Sequence, residues 1–107
     1  MEPWVCSIGP ENFTAEVILE TKPVLLICMA HDDSFSRQLK VVQNVGKKFE
    51  KELKVGLVAQ DSLEIFKKRL QISGTPTYLL MREGQEISRV LGVSDEETLT
   101  HLINQCL

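Results

Sequence analysis

Between Lys22 and Lys54 the apolar pattern changes from continuous to helical, and few backbone arrangements satisfy both halves. Pro23 to Ala30 (PVLLICMA) is a nearly unbroken apolar run of strand length, which suits a central strand buried on both faces of a sheet. From Phe35 the apolar residues fall at threes and fours, through Phe35, Leu39, Val42, Val45, Phe49 and Leu53, so a long helix turns one side to the core. Four polar residues, His31-Asp32-Asp33-Ser34, join strand to helix. In open α/β folds this junction is where chemistry is usually mounted, because the helix start offers unpaired N–H groups and positive dipole potential beside the carboxyl end of a strand. No cysteine stands in it. Asp33 or Ser34 is the expected N-cap, since a short oxygen-bearing side chain can accept from the free N–H groups of the first turn. Gly46 falls inside the helix, at a cost of about 1 kcal/mol relative to Ala unless close packing against the sheet offsets it.

The flanking sequence supplies the remaining elements. Trp4 to Ile8 is expected as an edge strand, and Asn12 to Leu19 as a two-turn helix with Phe13, Val17 and Ile18 inward. Val55 to Gln60 (VGLVAQ) is a second short apolar strand. Asp61-Ser62-Leu63-Glu64 has the form of a capping box, opening a helix with Leu63, Phe66 and Leu70 inward and Lys67, Lys68 and Arg69 outward. Thr77 to Arg82 and Gln85 to Leu91 flank a Glu83-Gly84 turn as a hairpin, with Ile87, Val90 and Leu91 as the apolar positions of its second arm. After Gly92, Ser94-Asp95-Glu96-Glu97 is another capping box, and Leu99, Leu102, Ile103 and Cys106 mark the inner face of a closing helix that leaves His101 on its polar side. The order β-α-β-α-β-β-α predicts an α/β fold with a central mixed sheet flanked by helices on both faces.

At 107 residues with 43% hydrophobic content, the chain suits one domain with a core that needs neither metal nor disulfide. A formal charge of −3, with basic residues mixed among acids in KKFEKELK, argues against nucleic acid as a partner. No apolar run approaches the roughly 20 residues that span a bilayer, and MEPWVCSIG lacks the pattern of a secretory signal. No membrane association and a cytoplasmic location are therefore expected. Cys6, Cys28 and Cys106 are widely spaced, without a C-x-x-C or a Cys/His cluster, so three free thiols are favoured over a Cys6 to Cys106 bridge and no metal or cofactor is expected.

These elements, with the residues at their corners, resemble thioredoxin from about Trp4 to Leu107. PVLLICMA, its polar corner and the long helix resemble the strand that leads into the active-site helix of that family. Val58-Ala59-Gln60-Asp61 is similar to its strand ending in Asp, Ile72-Ser73-Gly74-Thr75-Pro76-Thr77 to the segment around its cis-proline, Arg82-Glu83-Gly84-Gln85 to its charged hairpin turn, and Leu91-Gly92-Val93 to the glycine before its final helix. The resemblance implies the thioredoxin fold over residues 1–107. Against the family segment W-C-G-P-C the chain has Asp32-Asp33-Ser34-Phe35-Ser36, so the resemblance puts Asp33 and Ser36 at the two sulfur positions. Met29 then stands for an upstream aromatic, Ile27 for a buried acid, and Val41 for a kinking proline. Dithiol exchange needs a thiolate to attack a disulfide and a second thiol to resolve the mixed disulfide, and a carboxylate with a hydroxyl can do neither.

Two expectations of different class follow. One is a protein without enzyme activity that binds a protein or extended peptide through Met29, His31, Asp32, Asp33, Ser34, Phe35, Thr75, Pro76, Gly92 and Val93. Main-chain hydrogen bonding of the strand-addition kind needs no cysteine; equally, Thr75-Pro76 can serve only to shape the sheet. The other is a thiol-dependent oxidoreductase that uses Cys6 or Cys106 alone. Asp32 and Asp33 suit capping better than acid/base work, since adjacent turn residues point apart, and Ser36 has no His/Asp pair to activate it.

Overall fold

The computed structural model describes residues 4–107; the first three residues of the stretch examined for a signal lie outside the described part. Its five strands are β1 (Cys6–Ile8), β2 (Val24–Cys28), β3 (Lys54–Val58), β4 (Thr77–Arg82) and β5 (Gln85–Leu91), in the spatial order β1-β3-β2-β4-β5. The helices are α1 (Phe35–Lys48), α2 (Leu63–Arg69) and α3 (Glu96–Asn104). From β2 onward the order is β-α-β-α-β-β-α, as the periodicities predict. β2 is parallel to β3 and antiparallel to β4, so the sheet is mixed, and all five β2 residues are buried. The strand with the longest apolar run therefore lies in the middle. A strand covered on both faces cannot place a charge on either without burying it.

Side chains alternate across the sheet into two cores. Leu25, Ile27, Val55, Tyr78 and Leu80 pack with Val42, Val45 and Phe49 from α1 and its end, and with Leu99, Leu102 and Ile103 of α3. Leu26, Cys28, Leu79 and Met81 pack on the opposite face with Phe13, Val17, Leu63 and Phe66. Helices thus cover both faces, and the predicted inner residues of α3 hold their places, with Cys106 half-buried at the edge.

Several boundaries differ from the sequence expectation, each for a local reason. β2 stops at Cys28, so Met29 and Ala30 belong to the corner. α1 ends at Lys48 because the chain turns at Phe49, whose carbonyl accepts from the amides of Glu52 and Leu53, before β3 begins at Lys54. Leu53 is buried but not helical. Asn12 to Leu19 forms a π-helical turn, Thr14–Ile18, closed by Leu19 N–H donating to Thr14 O, instead of two α turns. β3 ends at Val58, and Gln60–Ser62 forms a 3₁₀ turn ahead of α2, so Asp61 lies inside a turn and makes no cap bond. The last capping box is shifted by one residue: Asp95, and not Ser94, accepts from Thr98 N–H at 2.8 Å. In β5, Ile87 and Leu91 are exposed, because β5 is an edge strand. Glu83 and Gly84 both take positive φ, the two-residue turn that matches strand twist. The close approach at Gly46 is to the N-terminal segment and not to the sheet: a Cβ there would stand 2.8 Å from Trp4 O.

Candidate functional site

The corner after β2 is built by Asp32. Its amide donates to Ala30 O at 2.9 Å, and its carboxylate accepts from Ser34 N at 3.0 Å and Ser34 Oγ at 2.8 Å. Its carbonyl accepts from Phe35 N at 3.1 Å. The cap expected from Asp33 or Ser34 is not made; Asp32 instead closes the turn ahead of the helix, as a side-chain turn that mimics a backbone turn. Ser34, the residue at the N-cap position, has helical φ and ψ and makes no side-chain cap bond. The Ser34 hydroxyl, and then its amide, hold the Asp32 carboxyl below its ordinary range. Asp33 and Ser36 are exposed, Phe35 is half-buried, and the exposed His31 ring lies 4.0 Å from the Phe35 ring, centroid to centroid. Met29 is buried at 2% exposure, so it supports the corner from below and offers little surface to a partner.

The topology brings the other predicted residues to the same end of the sheet. Cys28, Thr77 and Leu91 form one row across β2, β4 and β5, so the Gly74-Thr75-Pro76 loop and Gly92-Val93 flank the corner. The Thr75-Pro76 peptide bond is cis. Pro76 is buried and its carbonyl accepts from Gly92 N at 2.8 Å, while Thr77 Oγ1 donates to Gly74 O at 2.6 Å. Neither the N–H nor the C=O of Thr75 has a hydrogen-bond partner among the described residues. Leu91 and Val93 expose 60% and 61% of their surface beside this loop.

Below the corner lies a polar network that sequence reasoning missed. Gln38 of α1 is buried; its Oε1 accepts from the Tyr78 hydroxyl and from Ser94 N at 3.0 Å, and its Nε2 donates to Ser94 O at 3.0 Å. One side chain thereby ties α1 to β4 and to the segment that enters α3. Burial pushes the Tyr78 phenol up to about 12. The signal was present, since Gln38 falls three after Phe35 and four before Val42, in phase with the apolar stripe. Polarity alone removed it from the expected core.

All three thiols are free, and only Cys28, the last residue of β2, lies at the corner end of the sheet. Cys28 is buried, and burial pushes its thiol up to about 12 despite the Arg89 guanidinium. Burial also raises the half-buried Cys6, with Glu16 adding to the effect and Lys54 opposing it. Cys106 is half-buried near the chain end, its carbonyl accepting from Arg82 Nη1 at 2.7 Å. A cavity of about 310 Å³ opens beside His31, between Val5, Leu39, Leu57 and Gln60. The larger hollow, about 700 Å³, lies at the opposite end of the sheet around Trp4, Glu20, Lys22 and Lys54, away from the corner.

This sheet order, with the helix-start corner and the cis X-Pro loop at one end, agrees with a match of the Thioredoxin family model to residues 5–105. The chain belongs to the thioredoxin family. Local similarity is found to a thioredoxin of Chlamydia pneumoniae, 46% identical over 35 residues, and to one of Chlamydia caviae, 44% identical over 34 residues. These matches take in 33% and 32% of this chain, and the chain spans about a third of the length of the curated relatives it matches, 34% and 33%. Among the described residues, no helix of this thioredoxin-family chain is long and apolar enough to cross a membrane.

Proposed function

We propose that this thioredoxin-family chain is a binding or assembly module without dithiol redox chemistry, which holds a protein segment in extended form at the corner end of the sheet. The observation that carries the reading is the chemistry of the helix start. Laid on the family's segment, Asp33 and Ser36 take the two sulfur positions, and both are exposed oxygen-bearing side chains. The Asp32 carboxylate closes the turn ahead of the helix start, where a redox-active protein would stabilise a thiolate. Ile27, at the position of a buried acid, is fully enclosed among apolar side chains, where proton transfer has no carrier. The binding half of the reading is supported by the free N–H and C=O of Thr75, by exposed Leu91 and Val93, and by the docking of Pro76 onto Gly92. An extended peptide can pair with such a main-chain edge while its side chains meet the apolar flank. The partner is a protein and not nucleic acid or a membrane, and three unbridged thiols suit the cytoplasm.

The competing use of a single thiol gains no support at Cys6, where burial and the Glu16 carboxylate raise the thiol away from the thiolate form. Cys106, the other candidate, is half-buried beside Arg82, at the far end of β4 from the corner. The binding reading is tested with a permanently unfolded polypeptide whose cysteines are blocked, added to isotope-labelled protein. Amide shifts are expected to cluster at residues 31–36, 74–77 and 91–93, and Val93→Asp is expected to weaken binding by about tenfold. Shifts confined to other surfaces, or no saturable binding, would contradict it.

A further inference from the structure

We propose that the solvent face of α1 is a second docking surface, shaped for a short acidic helical segment of a partner protein. α1 holds no acidic residue, yet carries Arg37, Lys40, Lys47 and Lys48 in a chain of formal charge −3. With Asn44, Arg37, Lys40 and Lys47 follow one another at threes and fours and Lys48 stands four after Asn44, so they lie on one face, and all are exposed. The sequence reading of KKFEKELK missed this stripe because half of it lies upstream of that segment. The ion pairs of the described residues are Lys54 with Glu16 and Glu20, Lys67 with Glu64, and Arg89 with Glu86, so among the described residues no cation of the α1 stripe is in an ion pair. Lys47 lies 5.4 Å from the Trp4 ring centroid and Lys48 5.6 Å from that of Phe49, contacts that orient the ammonium groups and leave their charge in place.

Helix stability accounts for only part of this pattern. Lys47 and Lys48 lie in the last turn, where the carbonyl end favours cations. Arg37 lies in the first turn, where the helix potential is already positive, Lys40 lies one turn on, and no acid within α1 offsets either. A cation in the first turn is unfavourable for the isolated helix, which points to a use outside it. The basic triplet of α2 differs, since Lys67 pairs with Glu64 and the triplet occupies the final turn.

Carboxylates around the stripe define the occupant. Asp32 and Asp33 precede it, Glu50 and Glu52 follow it, and Glu96 lies alongside, 3.5 Å from Asn44 Nδ2. A long polyanion or a charged membrane would have to cover those acids, at a repulsive cost, whereas a short segment fits between them. Arg37 to Lys48 spans about 16 Å, the length of roughly three helical turns.

The test is fluorescence anisotropy with a labelled Glu/Ala helical peptide of about four turns. Saturable binding that weakens steeply with added salt is expected. Arg37→Glu with Lys40→Glu should weaken it by at least about tenfold, and Arg37→Gln with Lys40→Gln by a smaller factor, while Lys67→Glu with Lys68→Glu stays within about twofold of the wild type. Far-UV circular dichroism checks that the variants keep their helices. The proposal is overturned by no saturable binding to the wild type, by equal weakening in the α1 and α2 variants, or by tighter binding of a short DNA duplex or of phosphatidylserine vesicles.

Discussion

Gln38 has the largest expected effect among single residues near the corner. Gln38→Leu fills the space but leaves the Tyr78 hydroxyl and both backbone groups of Ser94 without partners, for an expected loss of about 3 kcal/mol in urea unfolding. Tyr78→Phe removes one donor and keeps the Gln38 bonds to Ser94, for an expected loss of about 1 kcal/mol. Equal losses would mean that packing, and not hydrogen bonding, sets the value of the network. Apolar residues of the core were legible because burial selects them one by one. Gln38 was not, because its burial depends on a tyrosine and a serine that are distant in sequence. Asp32 was expected as a capping acid beside Asp33 for a related reason: a carboxylate that closes a turn before the helix leaves the same local pattern as one that caps it.

At the scale of elements, the boundary of α3 separates two caps that the sequence motif cannot tell apart. Asp95 accepts from Thr98 N–H, whose side chain and amide hold its carboxyl low, whereas Ser94 faces Gln38 from the buried side. Asp95→Ala is expected to lower Tm by a few degrees, roughly the shift of a lost cap, and Ser94→Ala by less. The reverse order would restore the predicted capping box. Strands and helices were legible from period and turn residues, above all β2, α1 and the β4–β5 hairpin. Their ends were less so. A π turn depends on how Phe13 and Val17 seat together beneath the sheet, and the exposure of Ile87 depends on β5 having no outer neighbour.

For the whole molecule, the buried acids of high pKa set the alkaline limit. Cys28 and Tyr78 are pushed by burial from ordinary values of 9.0 and 10.0 up to about 12. A raised pKa contributes its full stability below the unfolded value and loses it as pH rises through the folded one. Stability should therefore hold from neutral pH to about 9 and fall between there and 12, and Cys28→Ala with Tyr78→Phe should flatten that part of the profile. An unchanged slope would show that other groups govern it. The depressed Asp32 and Asp95 carboxyls act in the opposite sense, losing their contribution as pH falls through their folded values. Sheet order and the gathering of three loops at one end were legible only through the thioredoxin resemblance, since periodicity alone does not say which strand neighbours which. The absence of sulfur from the helix start was legible directly. Dithiol-dependent insulin reduction tests its consequence: the wild type should turn over no faster than buffer, with activity gained in Asp33→Cys with Ser36→Cys, and catalysed reduction by the wild type would contradict the account.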